Sequence, residues 1–311
     1  MNLWVFVVVI GGSAILSFGS VAASIRIAHR IGAVDRPDSE RKFQERPIPK
    51  LGGVAIALTL PFVVITTLLL LDRKSDILPA LSVLGPALGV AILGYMDDMR
   101  EINPWLRLGS QAALGLTAWF AGTQINIFGI AALDAAVMVI WIVAVINGIN
   151  LLDNSDGLAG FTVLVASLGA GLIAIINGQN IISLMAFSIS GIAIGFLRHN
   201  WYPARVYLGD SGAYFLGFLL AVLTIRLRPE ESSPAAGILI AVLLLILPLL
   251  DTTYVVTARM RRGIHPFTAG RDHLSHNLQA RGSSVQASVS VLIGLSTTGS
   301  IAAVTLAVFL R

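Results

Sequence analysis

Long apolar runs alternate with short polar segments along this chain. The apolar runs fall at about residues 3–25, 51–71, 78–96, 107–122, 130–147, 158–176, 180–197, 212–228, 236–256 and 285–310. A helix needs about 20 mostly apolar residues to cross the hydrocarbon core of a bilayer, and these runs meet or approach that length. They predict an all-α, polytopic integral membrane protein with about ten to eleven transmembrane helices, the eleventh arising if the ninth run breaks at Pro248. The opening run has no basic residue before it, and Arg26 and Arg30 follow it. A secretory signal has its basic residues first, so this order predicts a retained first helix with its N-terminus outside. No internal repeat or low-complexity tract divides the chain, and residues 1–311 read as one transmembrane domain.

The polar segments are unequal. Counting helices from the outside, those at about 26–50, 97–107, 148–157, 198–211 and 257–284 share one side. They carry sixteen of the 21 Lys and Arg residues and all five histidines. The positive-inside rule makes that side cytoplasmic. The segments on the other side are short and nearly featureless. Loop polarity alone does not explain that contrast, so chemistry is expected at the cytoplasmic face.

Composition agrees. Of the 311 residues, 56% are hydrophobic and 12% charged, about half the charge of a soluble domain. The absence of cysteine excludes disulfides and thiolate metal sites. A pI near 9.8 reflects orientation and contact with anionic lipid head groups; nucleic acid is not an expected partner.

Five segments carry candidate chemistry. In the first, VDRPDSERKFQERPIPKLGG, Arg41 and Lys42 are placed to meet phosphate, and Gly52 and Gly53 permit close approach at a helix start. In GYMDDMREINPWLR, Asp97 and Asp98 adjoin at a membrane boundary, with Glu101 four residues after Asp97. Paired carboxylates there need water, a cation or a metal, and oxygen ligands beside phosphate suit Mg²⁺. In NGINLLDNSDGLAG, Asn147, Asn150, Asp153 and Asp156 recur every three residues, near helical spacing, so that they would share one face. Gly148, Gly157 and Gly160 are expected to loosen the backbone around them, and Asp153 or Asp156 would also serve as N-cap of the sixth span. In YLGDSGAYFLGF, residues Gly209–Gly212 open the eighth span, where free amides attract phosphate and Asp210 would hold an accompanying metal. The last, TARMRRGIHPFTAGRDHLSHNL, places His273 and His276 one helical turn apart after Arg271. Two histidines make a poor zinc site and suit contact with a diphosphate better. Asp134 belongs near the outer boundary, and Asp251, near the cytoplasmic end of the ninth span, reads as a supporting residue.

Taken in order from about residue 35 to 278, these segments resemble the polyprenyl-phosphate N-acetylhexosamine-1-phosphate transferase family. The resemblance rests on PKLGG, GYMDD, NGINLLDNSDGLAG, LGDSGAYFLG and PFTAGRDHLSH. It implies a multi-pass enzyme of the inner (plasma) membrane, Mg²⁺-dependent (or Mn²⁺-dependent), acting on a UDP-sugar and a polyprenyl phosphate at a cytoplasm-facing site. By motif position it assigns catalytic roles to Asp97, Asp98, Asp210, His273 and His276. Substrate binding falls to Arg41, Lys42, Asn147, Asp153, Asp156 and Arg271, with Asp156 the better match for uracil contact. The metal would be held by Asp210, Asn150 and Asp98. The family pattern also allows a homodimer.

This chain departs from the pattern at Gln44, where a His is frequent, in a first loop one residue longer than usual, and at Gly270 and Ser275 in the last motif. The HLSH form is closer to the branch using UDP-GlcNAc than to the phospho-MurNAc-pentapeptide transferases. The implied reaction is attack of the lipid phosphate on the β-phosphorus of the UDP-sugar with loss of UMP, an early membrane step in cell-envelope glycan synthesis. Direct displacement is expected, with Asp97 or Asp98 serving as base or as metal ligand. A secondary transporter is the rival of another class. It would place ionisable groups near the bilayer midplane, commonly within repeats, and neither feature is evident.

Overall fold

The computed structural model of the chain describes residues 1–35, 46–227, 234–268 and 270–310. Twelve α-helices follow one another among them: α1 (Leu3–Ile31), α2 (Gly52–Leu70), α3 (Ile77–Met99), α4 (Pro104–Phe120), α5 (Ala131–Leu152), α6 (Leu158–Ile176), α7 (Asn180–Asn200), α8 (Gly209–Arg226), α9 (Pro234–Leu244), α10 (Ile246–Arg261), α11 (Leu274–Ala280) and α12 (Val285–Phe309). The sequence does not predict a two-residue antiparallel pair, β1 (Val34–Asp35) with β2 (Ile48–Pro49), which closes the first loop at its base. Among the described residues, seven helices are long and apolar enough to cross a membrane, and α9 with α10 forms an eighth candidate as a broken pair. The remaining two expected spans are α4, which has 17 residues, and α8, which carries Asp210 and Arg226 at its ends.

Local chemistry sets several helix ends. Asn103 caps α4 by accepting the Trp105 amide at 2.9 Å, and Pro104 occupies the first turn, where its missing N–H costs nothing. Ser284 caps α12 through the Ala287 amide at 3.1 Å. The break in the ninth span is not at Pro248. The chain bends by 78° between Leu244 and Ile246. Pro248 then lies in the first turn of α10, where a proline lacks only an amide that would have no helical partner.

The centre of the bundle is α8, buried without interruption from Ser211 to Thr224. It packs on α2, α3 and α5, while α7 packs between α1 and α6. In lipid, apolar side chains give no hydrophobic advantage to helix association, and small residues bring backbones close instead. Gly53 and Gly212 face each other, and a Cβ on either would meet the other's Cα within van der Waals distance. Gly94 of α3 likewise lies against the backbone of Asp210 and Ser211. Gly148 and Gly160 do not loosen the chain as expected; they are helical and let α5 approach Pro248 and α6 approach Leu197.

The interface generates a paired prediction. Gly53→Ala should lower thermal stability in detergent by the equivalent of about 1–3 kcal/mol, since backbone atoms cannot yield to the new methyl. Gly85→Ala in α3 has no atom within 4 Å of the new carbon, and should be neutral or stabilise by up to about 1 kcal/mol. Melting curves of the two variants beside the parent protein would check both.

Candidate active site

The five polar segments meet at one end of the bundle, around the start of α8. The Leu208 carbonyl accepts the Gly53 amide at 2.9 Å, and the Pro49 carbonyl accepts the Tyr207 amide at 2.8 Å. These bonds lash the segment before α8 to the start of α2. Gly209 turns the chain into the helix at φ +68°, a left-handed conformation that favours glycine. Its place is also crowded, since a Cβ there would come within 2.8 Å of Asp98 Oδ2 and the Lys50 carbonyl.

Carboxylates ring that turn. Asp98 Oδ2 accepts the Ser211 amide at 3.1 Å, and Asp153 Oδ2 accepts the Gly209 amide at 3.1 Å. Asp210 Oδ1 accepts from Asn150 Nδ2 at 2.5 Å. Asp156 Oδ2 accepts the Ala204 amide at 2.8 Å. The Gly209 and Ser211 amides, read from sequence as a phosphate cradle, are therefore taken by this protein's own acids. The cause is the same helix-terminal partial charge that attracts phosphate. Burial holds Asp153 well above the ordinary carboxylate range, the Gly209 amide opposes that, and the nearby Asp210, Asp98 and Asp156 add to it. Burial also raises Asp156, against the Ala204 amide.

Asp97 and Asp98 diverge. Asp97 is buried and turns inward, where Oδ2 accepts from Tyr214 Oη at 2.7 Å and Arg107 Nη1 at 3.3 Å, and Oδ1 accepts the Ile102 amide at 2.8 Å. Glu101 is exposed, because α3 ends at Met99 and Arg100 is extended, so the expected one-turn relation with Asp97 does not form. The Asn147–Asp156 face does not form either. Helix α5 ends at Leu152, leaving Asp153 as its cap and Asp156 in the following turn. Asn147 lies one turn deeper than Asn150 and donates to Gln111 Oε1 at 2.7 Å, away from the acids. Neither Asp153 nor Asp156 caps α6, whose N-cap is Gly157 at φ +80°. Arg41, Lys42 and Gln44 lie outside the described residues.

The last segment closes over the same end. His273 Nδ1 lies 2.8 Å from Asp251 Oδ2, and the His273 and His276 rings meet edge-on with centroids 5.6 Å apart. Burial lowers the His276 pKa, helped by the neighbouring His273 and Arg271. Ser275 Oγ donates to Asn154 Oδ1 at 2.7 Å, which docks this segment on the α5–α6 turn. Asn154, Arg107 and Tyr214 join the site without belonging to the candidates that the sequence offers. Arg107 offers a usable signal, a cation at the head of an apolar run close in the chain to the Asp97–Asp98 pair.

Among the described residues, no group of three or more His, Asp or Glu side chains is arranged to hold a metal ion unaided. Mg²⁺ does not need one: it takes one or two carboxylates, several waters and substrate phosphate oxygens. Asp98 and Asp210 supply two carboxylates around one turn, and the Asn150 amide facing Asp210 can offer its oxygen by rotation. This donor set fits the ion.

The family profile described as glycosyl transferase family 4 matches residues 80–228. A Bacillus subtilis protein named a probable undecaprenyl-phosphate N-acetylglucosaminyl 1-phosphate transferase is 28% identical over 290 residues, 90% of this chain and 79% of that protein. The Escherichia coli K12 undecaprenyl-phosphate α-N-acetylglucosaminyl 1-phosphate transferase is 24% identical over 294 residues, 89% of this chain and 77% of its own length. A phospho-N-acetylmuramoyl-pentapeptide-transferase of Streptococcus thermophilus is 32% identical over 165 residues, 47% of this chain and 48% of its length.

The inward triad generates an ordered prediction. Arg107→Met would leave the buried Asp97 carboxylate without its cation and cost about 3–5 kcal/mol. Tyr214→Phe would remove one neutral donor and cost about 1–3 kcal/mol. Melting temperatures in detergent should therefore fall in that order; equal or reversed losses would contradict the pairing.

Proposed function

We propose that this chain, which belongs to glycosyl transferase family 4, transfers N-acetylglucosamine-1-phosphate from UDP-GlcNAc to undecaprenyl phosphate with release of UMP. The observation that carries the reading is the gathering of Asp98, Asp153 and Asp210 around Gly209–Ser211. Carboxylates crowded in this way suit a cation and, through it, a diphosphate. The names of the two relatives matched over about nine-tenths of the chain supply the donor and acceptor. The pentapeptide-transferase relative aligns over about half as much of it.

The reaction replaces one phosphorus–oxygen bond by another. An oxygen of the lipid phosphate bonds to the β-phosphorus, and the bond from that phosphorus to the bridging oxygen breaks, so that UMP leaves with the electron pair. A phosphomonoester has a second pKa near about 6 and is largely dianionic at neutral pH, so it attacks without first giving up a proton. Positioning and charge neutralisation then do most of the catalysis. Asp98, Asp210 and Asn150 would hold Mg²⁺, which when bound supplies positive charge to the diphosphate. Asp153 and Asp156 fix the turns at Gly209 and Ala204 that shape the nucleotide end. Lys42, Arg271, His273 and His276 offset the charge that remains on the diphosphate and the leaving group. Asp97 acts from behind, holding α3, α4 and α8 together through Arg107 and Tyr214.

We read α9 and α10 as one broken span, giving ten crossings, with the N-terminus outside and the acidic end at the cytoplasmic face of the plasma membrane. The positive-inside count and the meeting of all five polar segments at one end support this orientation.

Purified protein in detergent should release UMP from UDP-GlcNAc when both undecaprenyl phosphate and Mg²⁺ are present. EDTA or omission of the lipid should stop it, and UDP-MurNAc-pentapeptide should be a poor donor. Asp210→Asn should lower kcat by about 10²-fold or more while leaving the melting temperature close to that of the parent. Full turnover by that variant would contradict the role of Asp210. Preference for the pentapeptide donor would assign the chain to the other branch.

A further inference from the structure

The segment between α10 and α11 is tied back to α10 at two places. Just before its end, Asp272 bridges Arg259 Nε at 2.8 Å and Arg262 Nη2 at 2.6 Å, and these cations hold its pKa below the ordinary carboxylate range. At its end, Asp251 meets the first residues of α11. Asp251 is 1% exposed and His273 is 5% exposed. Asp251 Oδ2 lies 2.8 Å from His273 Nδ1, and Asp251 Oδ1 accepts the Leu274 amide at 2.8 Å. One carboxylate thus holds both the imidazole and the backbone that carries it.

That arrangement selects a ring state. A buried carboxylate is costly unless donors face its oxygens. A bare ring nitrogen turned toward Asp251 Oδ2 would set two lone pairs against each other, so Nδ1 must carry a proton. The ring is then fixed in orientation, and Nε2 is its remaining polar atom. His276, edge-on to this ring, has a buried Nδ1 with no partner among the described residues. The two histidines form a small polar wall whose first member is locked by Asp251.

We propose that Asp251 is a positioning residue for phosphoryl transfer: it locks the His273 ring with Nδ1–H toward its own carboxylate, so that Nε2 is presented to the diphosphate. The proposal rests on the reaction reading above, and on the buried geometry of the pair independently of it. The plainer alternative is that Asp251 only anchors the start of α11. The variant Asp251→Asn separates the two. Its amide oxygen can still accept the Leu274 amide, so the anchor survives, while its NH₂ group would face Nδ1 and favour the opposite tautomer.

The test combines kinetics with ¹⁵N-histidine NMR on the purified full-length protein, the His273 signals being assigned by their loss in His273→Asn. The wild-type protein should show a protonated Nδ1. Asp251→Asn should move the proton to Nε2 and lower kcat for UMP release by about 10–100-fold, with KM for UDP-GlcNAc and the melting temperature little changed. The double variant Asp251→Asn/His273→Asn should be no slower than His273→Asn alone, because the two residues act as a unit. Wild-type kcat in Asp251→Asn, additive losses in the double variant, or a wild-type His273 with bare Nδ1 would each overturn the proposal. Should Asp251→Asn not fold, the wild-type tautomer decides the matter by itself. Should the wild type release no UMP from any donor, the reaction reading fails, and the tautomer still decides the pairing.

Discussion

The first turn of α8 has to lie within backbone contact of α2 and α3, and the site depends on that constraint. Gly53, Gly94 and Gly212 remove the side chains that would stand in the way, and Gly209 supplies the left-handed turn that starts the helix. With the backbones this close, Asp98 of α3 reaches the Ser211 amide, and Asp153 beyond α5 reaches the Gly209 amide. Asp210 and Asn150 are brought together by the same packing. Acids that lie more than a hundred residues apart in the chain therefore share one another's fields. A cluster of this kind is unfavourable alone and becomes favourable with a cation, which is the electrostatic logic of a site for diphosphates.

Elsewhere, charge near the hydrocarbon is neutralised inside the protein. Asp97 has Arg107 and Tyr214, and Asp134 at the other end of the bundle takes the Ile127 and Phe128 amides, each at 3.0 Å. Arg226, at that same end, donates to Thr123 Oγ1 at 2.9 Å. None of these groups faces lipid bare, as the cost of an unpaired polar atom there demands. The distinction between Asp97 and Asp98 follows from this. The first secures the scaffold, and the second turns to the start of α8, where it accepts the Ser211 amide.

Most helices were legible in the sequence, because about 20 apolar residues in a row have few alternatives to a transmembrane helix. The five polar segments were legible too, by polarity and by their order. The directions of individual side chains were not. Asp97 turns inward because Arg107 and Tyr214 arrive from α4 and α8, and adjacency to Asp98 says nothing of that. Asn147 and Asn150 sit three residues apart on α5 and diverge because Gln111 and Asp210 claim them separately. A spacing of three predicts a shared face only while the helix lasts, and α5 stops at Leu152. The bend at Leu245 carries no residue signal of its own, since the proline nearby begins the next helix. The β1–β2 pair is two residues long and too short to show a period.

The most direct measurement of the central claim is the environment of Mn²⁺ added to the purified protein, read by electron paramagnetic resonance with ³¹P hyperfine detection. One protein-bound Mn²⁺ is expected, which acquires phosphorus couplings when UDP-GlcNAc is added and is lost in Asp98→Asn/Asp210→Asn. A spectrum of free aqueous Mn²⁺, unchanged by protein and nucleotide sugar together, would contradict it.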